Sequence, residues 1–138
     1  MFKINDDLSI SLTRGDTVSF DVSAKQGEVD YTFEVGDRVV FKVSEAKNAR
    51  KVILEARSEV TSKMVSDAGD SGVTKVKINL TETQTKLGTD VISKPVEFWY
   101  ELALENDAEG KVVRQTLIGY DEDGAKILRL LPEIGTMS

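Results

Sequence analysis

The acidic side chains are the first residues to consider for catalysis, because the 138-residue chain contains no histidine and no cysteine. Thiol nucleophiles, disulfides, Cys/His zinc sites and imidazole acid–base chemistry are therefore excluded within it. Glu97, Glu101 and Glu105 recur at every fourth position, which on a strand separates successive carboxylates by roughly 13 Å. Carboxylate pairs that hydrolyse glycosides lie only about 5–9.5 Å apart. We therefore expect no catalytic residue, no cofactor and no enzyme activity, and interpret these glutamates as the solvated face of an amphipathic strand.

A second acidic group resembles part of a calcium-binding loop. Asp121, Asp123 and Gly124 have the local spacing, but a hard cation needs six or more oxygens, including a distal bidentate glutamate. The segment Leu128–Leu131 stands where that glutamate is required. The pattern therefore favours a hairpin turn at 121–124 and predicts no metal site.

The tripeptide Arg14-Gly15-Asp16 spells the RGD adhesion motif. An adhesive function requires an exposed loop tip that presents both charges to a receptor. Glycine followed by aspartate also favours a tight turn between two strands. We prefer this structural interpretation.

Aromatic side chains could form a platform for sugars or for a protein partner. The candidates are Trp99, Tyr31, Phe33 and Tyr120. Trp99 lies on the opposite face of its predicted strand from the apolar residues that alternate with it. It is a core residue if a neighbouring element covers that face, and an interface anchor if the face is open. Since most tryptophans are largely buried, we favour a core or half-buried position.

Length and charge restrict the class of protein further. A chain of 138 residues with 40% hydrophobic and 30% charged residues is typical of one globular domain. The formal net charge of −6 is spread over both halves of the chain, and it repels phosphate, so we expect neither nucleic acid nor membrane as a partner. The segment Met1–Asp7 contains acidic residues where a signal peptide needs an apolar stretch, so we expect no signal peptide.

Alternating apolar and polar residues predict strands with one buried face. The pattern recurs in eight segments: Leu8–Leu12, Val18–Val22, Val39–Val43, Val52–Val60, Val76–Leu80, Phe98–Leu104, Val112–Tyr120 and Ala125–Leu131. Short strands separated by turns favour an antiparallel sandwich over a βαβ arrangement. We therefore predict one all-β domain spanning 1–138, with its core at about 4–131.

Three connections have distinctive sequences. Thr81 and Gln84 fit a capping box, which predicts one short helix that ends at Gly88. The small, polar residues around 67–72 predict a mobile loop at 61–73. The polar segment Asn106–Gly110 predicts a hairpin loop.

Three motifs then follow one another in a recognisable order. The first is a turn and strand, the second a strand with a capped helix, and the third an aromatic strand with its return strand: Leu12–Val22, Ile78–Leu87, and Phe98–Leu102 with Thr116–Tyr120. Together they resemble the N-terminal immunoglobulin-like domain of baseplate upper proteins from phages and prophages of Gram-positive bacteria. The resemblance implies an immunoglobulin-like β-sandwich whose short helix crosses between the sheets.

The same resemblance implies a structural role in a phage tail or baseplate, without catalytic residues to carry over. The implied partners are other virion tail or baseplate proteins, and self-association through an edge strand is a further possibility. The implied location is the virion, or the bacterial cytoplasm before assembly. The alternative is a carbohydrate-binding or adhesive surface module on the same fold.

Overall fold

The computed structural model describes residues 3–4, 9–26, 28–45, 52–87, 94–118 and 126–132. The strands are β1 Lys3–Ile4, β2 Ile10–Thr13, β3 Val18–Val22, β4 Lys25–Gln26, β5 Val29–Asp30, β6 Arg38–Ser44, β7 Val52–Glu59, β8 Val76–Leu80, β9 Val96–Ala108, β10 Lys111–Ile118 and β11 Lys126–Leu131. The helices are α1 Ser62–Ala68 and α2 Glu82–Thr85, and a 3-10 turn spans Gly69–Ser71. Neither helix of this described part is long and apolar enough to cross a membrane.

The strands form two facing sheets, which confirms the all-β, immunoglobulin-like sandwich. The larger sheet has the order β1-β2-β11-β9-β6-β7, and β10 also pairs with β9. The smaller sheet consists of β3 and β8, and β4 with β5 forms a separate ribbon. In immunoglobulin-like domains strands B and E share one sheet while C, F and G share the other; β3 and β8 correspond to the first pair, and β6, β9 and β11 to the second.

Two details differ from the predicted antiparallel eight-strand arrangement. The pair β2–β11 is parallel, whereas the other strand pairs in the described ranges are antiparallel. Eight of the eleven strands have four or more residues, which agrees with the predicted number. The other three strands have two residues each, which is too short for an alternating apolar and polar pattern to be recognised in the sequence.

The core lies between the two sheets because each strand points its apolar residues to one side. In β3, Val18, Phe20 and Val22 are buried while Ser19 and Asp21 are exposed. Equivalent apolar residues of β6, β8, β9 and β11 belong to the same hydrophobic cluster. Burial of one face therefore fixes the register of each strand.

The predicted crossing helix is confirmed. The Thr81 hydroxyl accepts a hydrogen bond from the Gln84 backbone N–H (3.2 Å), and the Gln84 side chain accepts one from the Thr81 N–H (2.9 Å). This reciprocal capping box satisfies two N–H groups that an uncapped helix leaves unpaired. The helix α2 connects β8 of the smaller sheet to β9 of the larger one. Its predicted end at Gly88 lies outside the described residues.

The predicted loop at 61–73 is wrong, because this segment contains α1 and the 3-10 turn. Thr61 caps the helix by accepting a hydrogen bond from the Met64 N–H (3.2 Å). Position N3 is Met64, whose sulfur takes the place of the usual Glu or Gln side chain. No residue of the helix is fully buried, although Met64 and Ala68 pack partly against the core. Its sequence therefore lacks the usual capping pair and has only a short apolar stripe.

Candidate interaction surface

The hairpin formed by β9 and β10 is longer than the sequence predicted. Strand pairing continues to Ala108 opposite Lys111, so only Glu109 and Gly110 remain in the loop. Both residues have positive φ, 53° and 78°, as a type I′ turn requires. The prediction of a loop at 106–110 is therefore wrong for 106–108.

The first half of β10, the second strand of this hairpin, is exposed to solvent. Residues 111–115 are exposed on both faces of the sheet, and Val112 and Val113 are 64% and 47% exposed. Val112 lies opposite Asp107 and Val113 opposite Asn106, so the two valines point to opposite faces. Within the part of the chain that the structure describes, β10 pairs with β9 alone. We call the outward side of residues 111–115 the hairpin edge.

The turn end of the hairpin is fixed by contacts to residues 37 and 38, at the start of β6. The Asn106 amide donates to Asp37 (3.3 Å), and the Arg38 guanidinium donates two hydrogen bonds of 3.3 Å to Asp107. A shallow cleft of about 350 Å³ lies here, lined by Glu34–Arg38, Glu59 and Asn106–Ala108. These side chains hold the polar end of β9 in strand conformation and thereby position β10.

Asp37 organises these contacts at the turn end, because its carboxylate is buried and accepts several hydrogen bonds. It is 4% exposed and accepts from the Tyr31 hydroxyl (2.7 Å) and the Glu34 N–H (2.9 Å) in addition to Asn106. The Asp37 carbonyl accepts from the Val60 N–H (2.8 Å). Asp37 therefore joins three segments of the chain: its carboxylate links residues 31–37 to Asn106, and its carbonyl adds Val60.

The Tyr31–Asp37 contact predicts a loss of stability at high pH. Burial, followed by the hydrogen bond to Asp37, raises the pKa of Tyr31 to about 12. In the unfolded chain a tyrosine pKa is about 10, so this contribution is fully present below pH 10 and is lost as the pH rises towards 12. Because the ring is only half-buried, we expect the contribution to be below about 1 kcal/mol. The stability difference between the native protein and Tyr31→Phe, measured by urea unfolding, should shrink as the pH rises from about 10 to about 11.5. A constant difference would contradict the contact.

The three glutamates of β9 that were considered for catalysis each form an ion pair with an arginine. The pairs are Glu97–Arg129 (3.1 Å), Glu101–Arg114 and Glu105–Arg57 (3.3 Å). Glu105 is only 7% exposed, so the prediction of a solvated face is wrong for this residue. Arg57 covers its carboxylate and also pairs with Glu55 (2.7 Å). Each of the three glutamates is thus neutralised by an arginine on another strand. We interpret these ion pairs as contacts that stabilise the sheet.

The RGD tripeptide forms the turn between β2 and β3, as predicted. Gly15 has φ 88°, and its N–H donates to the buried Thr85 hydroxyl (3.0 Å). That hydroxyl donates to the Asp16 carbonyl (2.8 Å), which ties the turn to α2. Arg14 is 8% exposed, so the tripeptide does not present both charges to a receptor.

The candidate aromatic residues do not form one platform. Phe33 is 2% exposed and packs edge-on against Tyr31, with ring centroids 5.2 Å apart. Trp99 is half-buried on the outer face of the larger sheet, between Ser44 and Ile127. Tyr31 binds Asp37, which directly precedes β6, whereas Trp99 lies beside Ser44 at the end of β6. Seven positions of extended chain separate Asp37 from Ser44, or over about 20 Å. Tyr120 lies outside the described residues.

The calcium-like segment 121–124 also lies outside the described residues, so its predicted turn stays a prediction. Among the residues that are described, no three Asp or Glu side chains come together as a metal site would require.

The turn of the hairpin offers a test of its geometry. A residue other than glycine in the left-handed region costs about 1–2 kcal/mol, and type I′ turns prefer asparagine or aspartate before glycine. We expect Glu109→Asn to raise the free energy of unfolding by about 0.5–1 kcal/mol. Urea unfolding measures the change, with Glu28→Asn at another exposed turn as the control. An equal gain in both variants would show that the effect does not come from this turn.

The comparisons with known proteins add little to this geometry. Neither a family model nor a curated protein matches the chain. Among solved structures, it is similar to AggA, the major subunit of aggregative adherence fimbriae type I (AAF/I) from Escherichia coli. The identity is 11% over 88% of each chain, with a TM-score of 0.30. At that score the fold assignment rests on the strand order and packing of this chain itself.

The sequence did not single out the hairpin edge, although it carried a signal. Val112 and Val113 are adjacent in a strand, so one of them must point away from the core. Lys111 precedes them and Arg114 follows, a combination of apolar and basic residues that is common on edge strands.

Proposed function

We propose that this chain is a non-enzymatic structural protein that attaches to other proteins in a phage or prophage tail or baseplate. The hairpin edge is the observation that carries the proposal. It combines exposed backbone on the outward side of β10 with two exposed valines. An added strand gains affinity from main-chain hydrogen bonds and specificity from alternating side chains.

The two valines favour a strand as the partner over a flat surface. Val112 and Val113 project from opposite faces of the sheet, so a surface docked on one face reaches only one of them. A strand that pairs with β10 places its own side chains beside both. Attachment by strand addition therefore uses the whole exposed stretch.

The placement of the three family-like motifs supports the phage part of the proposal. Leu12–Val22 covers the end of β2, the RGD turn and β3, and Ile78–Leu87 covers the end of β8 and α2. Phe98–Leu102 lies in the first half of β9, a strand that both β6 and β11 flank. Of its return segment Thr116–Tyr120, residues 116–118 belong to β10 and 119–120 lie outside the described residues. The motifs thus coincide with the turn, the crossing helix and the central strand of the sandwich.

Mass spectrometry of purified particles, after prophages are induced in the source strain, tests the assignment. We expect this chain at a fixed ratio to tail proteins. Abundant tail and capsid proteins without this chain would overturn the structural role.

A variant at the hairpin edge tests the proposed mode of attachment. We expect the double substitution Val112→Lys with Val113→Lys to reduce incorporation into particles, because two lysines cannot replace the apolar contacts. Val29→Lys is the matched control, since Val29 is a 70% exposed valine on β5. Equal incorporation of both variants would exclude the hairpin edge as the attachment surface.

Trp99 favours a second candidate function, a carbohydrate-binding or adhesive module. Its indole is half-buried on the outer sheet face beside the small Ser44 side chain, where a sugar ring could stack. Since Trp99 is the single tryptophan, glycans that bind there should shift its fluorescence. Emission that ignores both glycans and polar quenchers would exclude this function.

A further inference from the structure

We infer that the partner of the hairpin edge is a second copy of this chain, which pairs β10 with β10 antiparallel about a two-fold axis at Val113. This inference rests on the proposed function, because it names the partner that binds the hairpin edge. The axis is perpendicular to the sheet, so the larger sheets of the two copies become one continuous sheet.

The exposed stretch itself indicates the register. In an antiparallel pair, directly opposite residues lie on the same face, so the axis must pass through a residue position. The stretch 111–115 is centred on Val113. An axis there pairs Val113 with its own copy, Val112 with Arg114, and Lys111 with Gln115.

Charge distinguishes this register from its nearest alternatives. An axis at Arg114 places two guanidinium groups opposite each other, and directly opposed like charges destabilise a strand pair. An axis at Val112 would place Arg114 and Gln115 opposite the turn residues Gly110 and Glu109, so fewer residues of the strand would pair. With the axis at Val113, the Lys111 ammonium faces the Gln115 amide, whose oxygen can accept its hydrogen bond.

One of the two basic residues on this edge, Arg114, is already neutralised. Basic residues on edge strands oppose pairing with another chain, but the Arg114 guanidinium is bound to Glu101 of β9. Its stem therefore lies along the sheet surface, where it can cover Val112 of the second copy. The exposed valines therefore contribute more to pairing at this edge than the arginine does to preventing it.

Cysteine substitution tests the register, because the native chain contains no cysteine. Opposite residues have Cβ atoms about 4.5–5.5 Å apart, close to the distance that a disulfide spans. Val113→Cys should therefore form a disulfide-linked dimer under mild oxidation. Gln115→Cys is the control, since the two copies of position 115 are roughly 13 Å apart along the strands. Equal cross-linking at both positions would overturn the proposed register.

Sedimentation equilibrium tests self-association without cross-linking. We expect a concentration-dependent dimer of the native chain, weakened at least about tenfold by Val113→Lys, which places like charges on the axis. Val29→Lys should leave the dimer unchanged. A native chain that stays monomeric, or a dimer that Val113→Lys does not weaken, would overturn the inference. If such a chain still enters particles through the hairpin edge, the proposed function stands and only the identity of the partner is wrong.

Discussion

Replacing Phe41 by alanine is expected to lower the free energy of unfolding by about 3–5 kcal/mol. The side chain is 0% exposed and contacts aromatic rings of both sheets. Its centroid lies 5.4 Å from Phe20 of β3, edge-on at 72°, and 5.5 Å from Tyr100 of β9, tilted at 38°. Alanine therefore leaves a cavity at the junction of the sheets and also removes the ring–ring interactions.

Urea unfolding measures this loss, with circular dichroism and Trp99 fluorescence as independent probes. A domain of this length has a stability of about 7–20 kcal/mol, so most variant molecules should remain folded without urea. Phe41→Leu retains part of the packing and should lose only about 1–2 kcal/mol. Val35→Ala, at a 58% exposed valine, should stay within about 0.5 kcal/mol of the native protein. A loss below about 1 kcal/mol for Phe41→Ala would contradict the packing of the two sheets at this point.

The strands could be predicted from the sequence because burial of one face imposes a period of two. Val76, Ile78 and Leu80 are buried while Lys77 and Asn79 between them are exposed, so local sequence alone defines this strand. The capped helix α2 was predictable for a similar reason, since its stabilising pair lies within one turn.

Apart from the hairpin of β9 and β10, strand pairing could not be predicted, because it joins segments that are distant in the sequence. Ile10 pairs with Leu128 in the parallel contact between β2 and β11. Both β10 and β11 occupy the same edge of β9, one opposite 102–108 and the other opposite 96–100. This division leaves β10 without β2 beside it, and it thereby creates the hairpin edge. Neither composition nor alternation encodes that arrangement.

The polar residues of the candidate surface misled the sequence analysis for a physical reason. Asn106 and Asp107 resemble loop residues, yet Asp37 and Arg38 bind their side chains and keep them in β9. A partner from another strand thus overrides the local preference. Burial of the Asp37 carboxylate becomes visible only in three dimensions.

Replacing Asp37 by alanine is expected to cost about 3 kcal/mol of unfolding free energy. The variant removes an acceptor from the Tyr31 hydroxyl, the Glu34 N–H and the Asn106 amide. Donors that are left unpaired at a buried site lose their water contacts without compensation. Since Asn106 holds the turn end of the hairpin, the same change should loosen β10 and increase amide hydrogen exchange in 111–118 more than in β3.

Asp21→Ala is the matched control, because Asp21 is an exposed aspartate on β3 whose loss should change stability by at most about 0.5 kcal/mol. A second measurement separates the network from general destabilisation. Without Asp37, the pKa of Tyr31 should fall from about 12 towards its ordinary value, because two of the causes that raise it involve Asp37. Burial keeps the pKa of Tyr31 above that value. Absorbance titration of the folded variant at high pH shows the change. If the Tyr31 titration is unchanged, Asp37 does not act on the phenol, and the link between this carboxylate and the hairpin must rest on Asn106 alone.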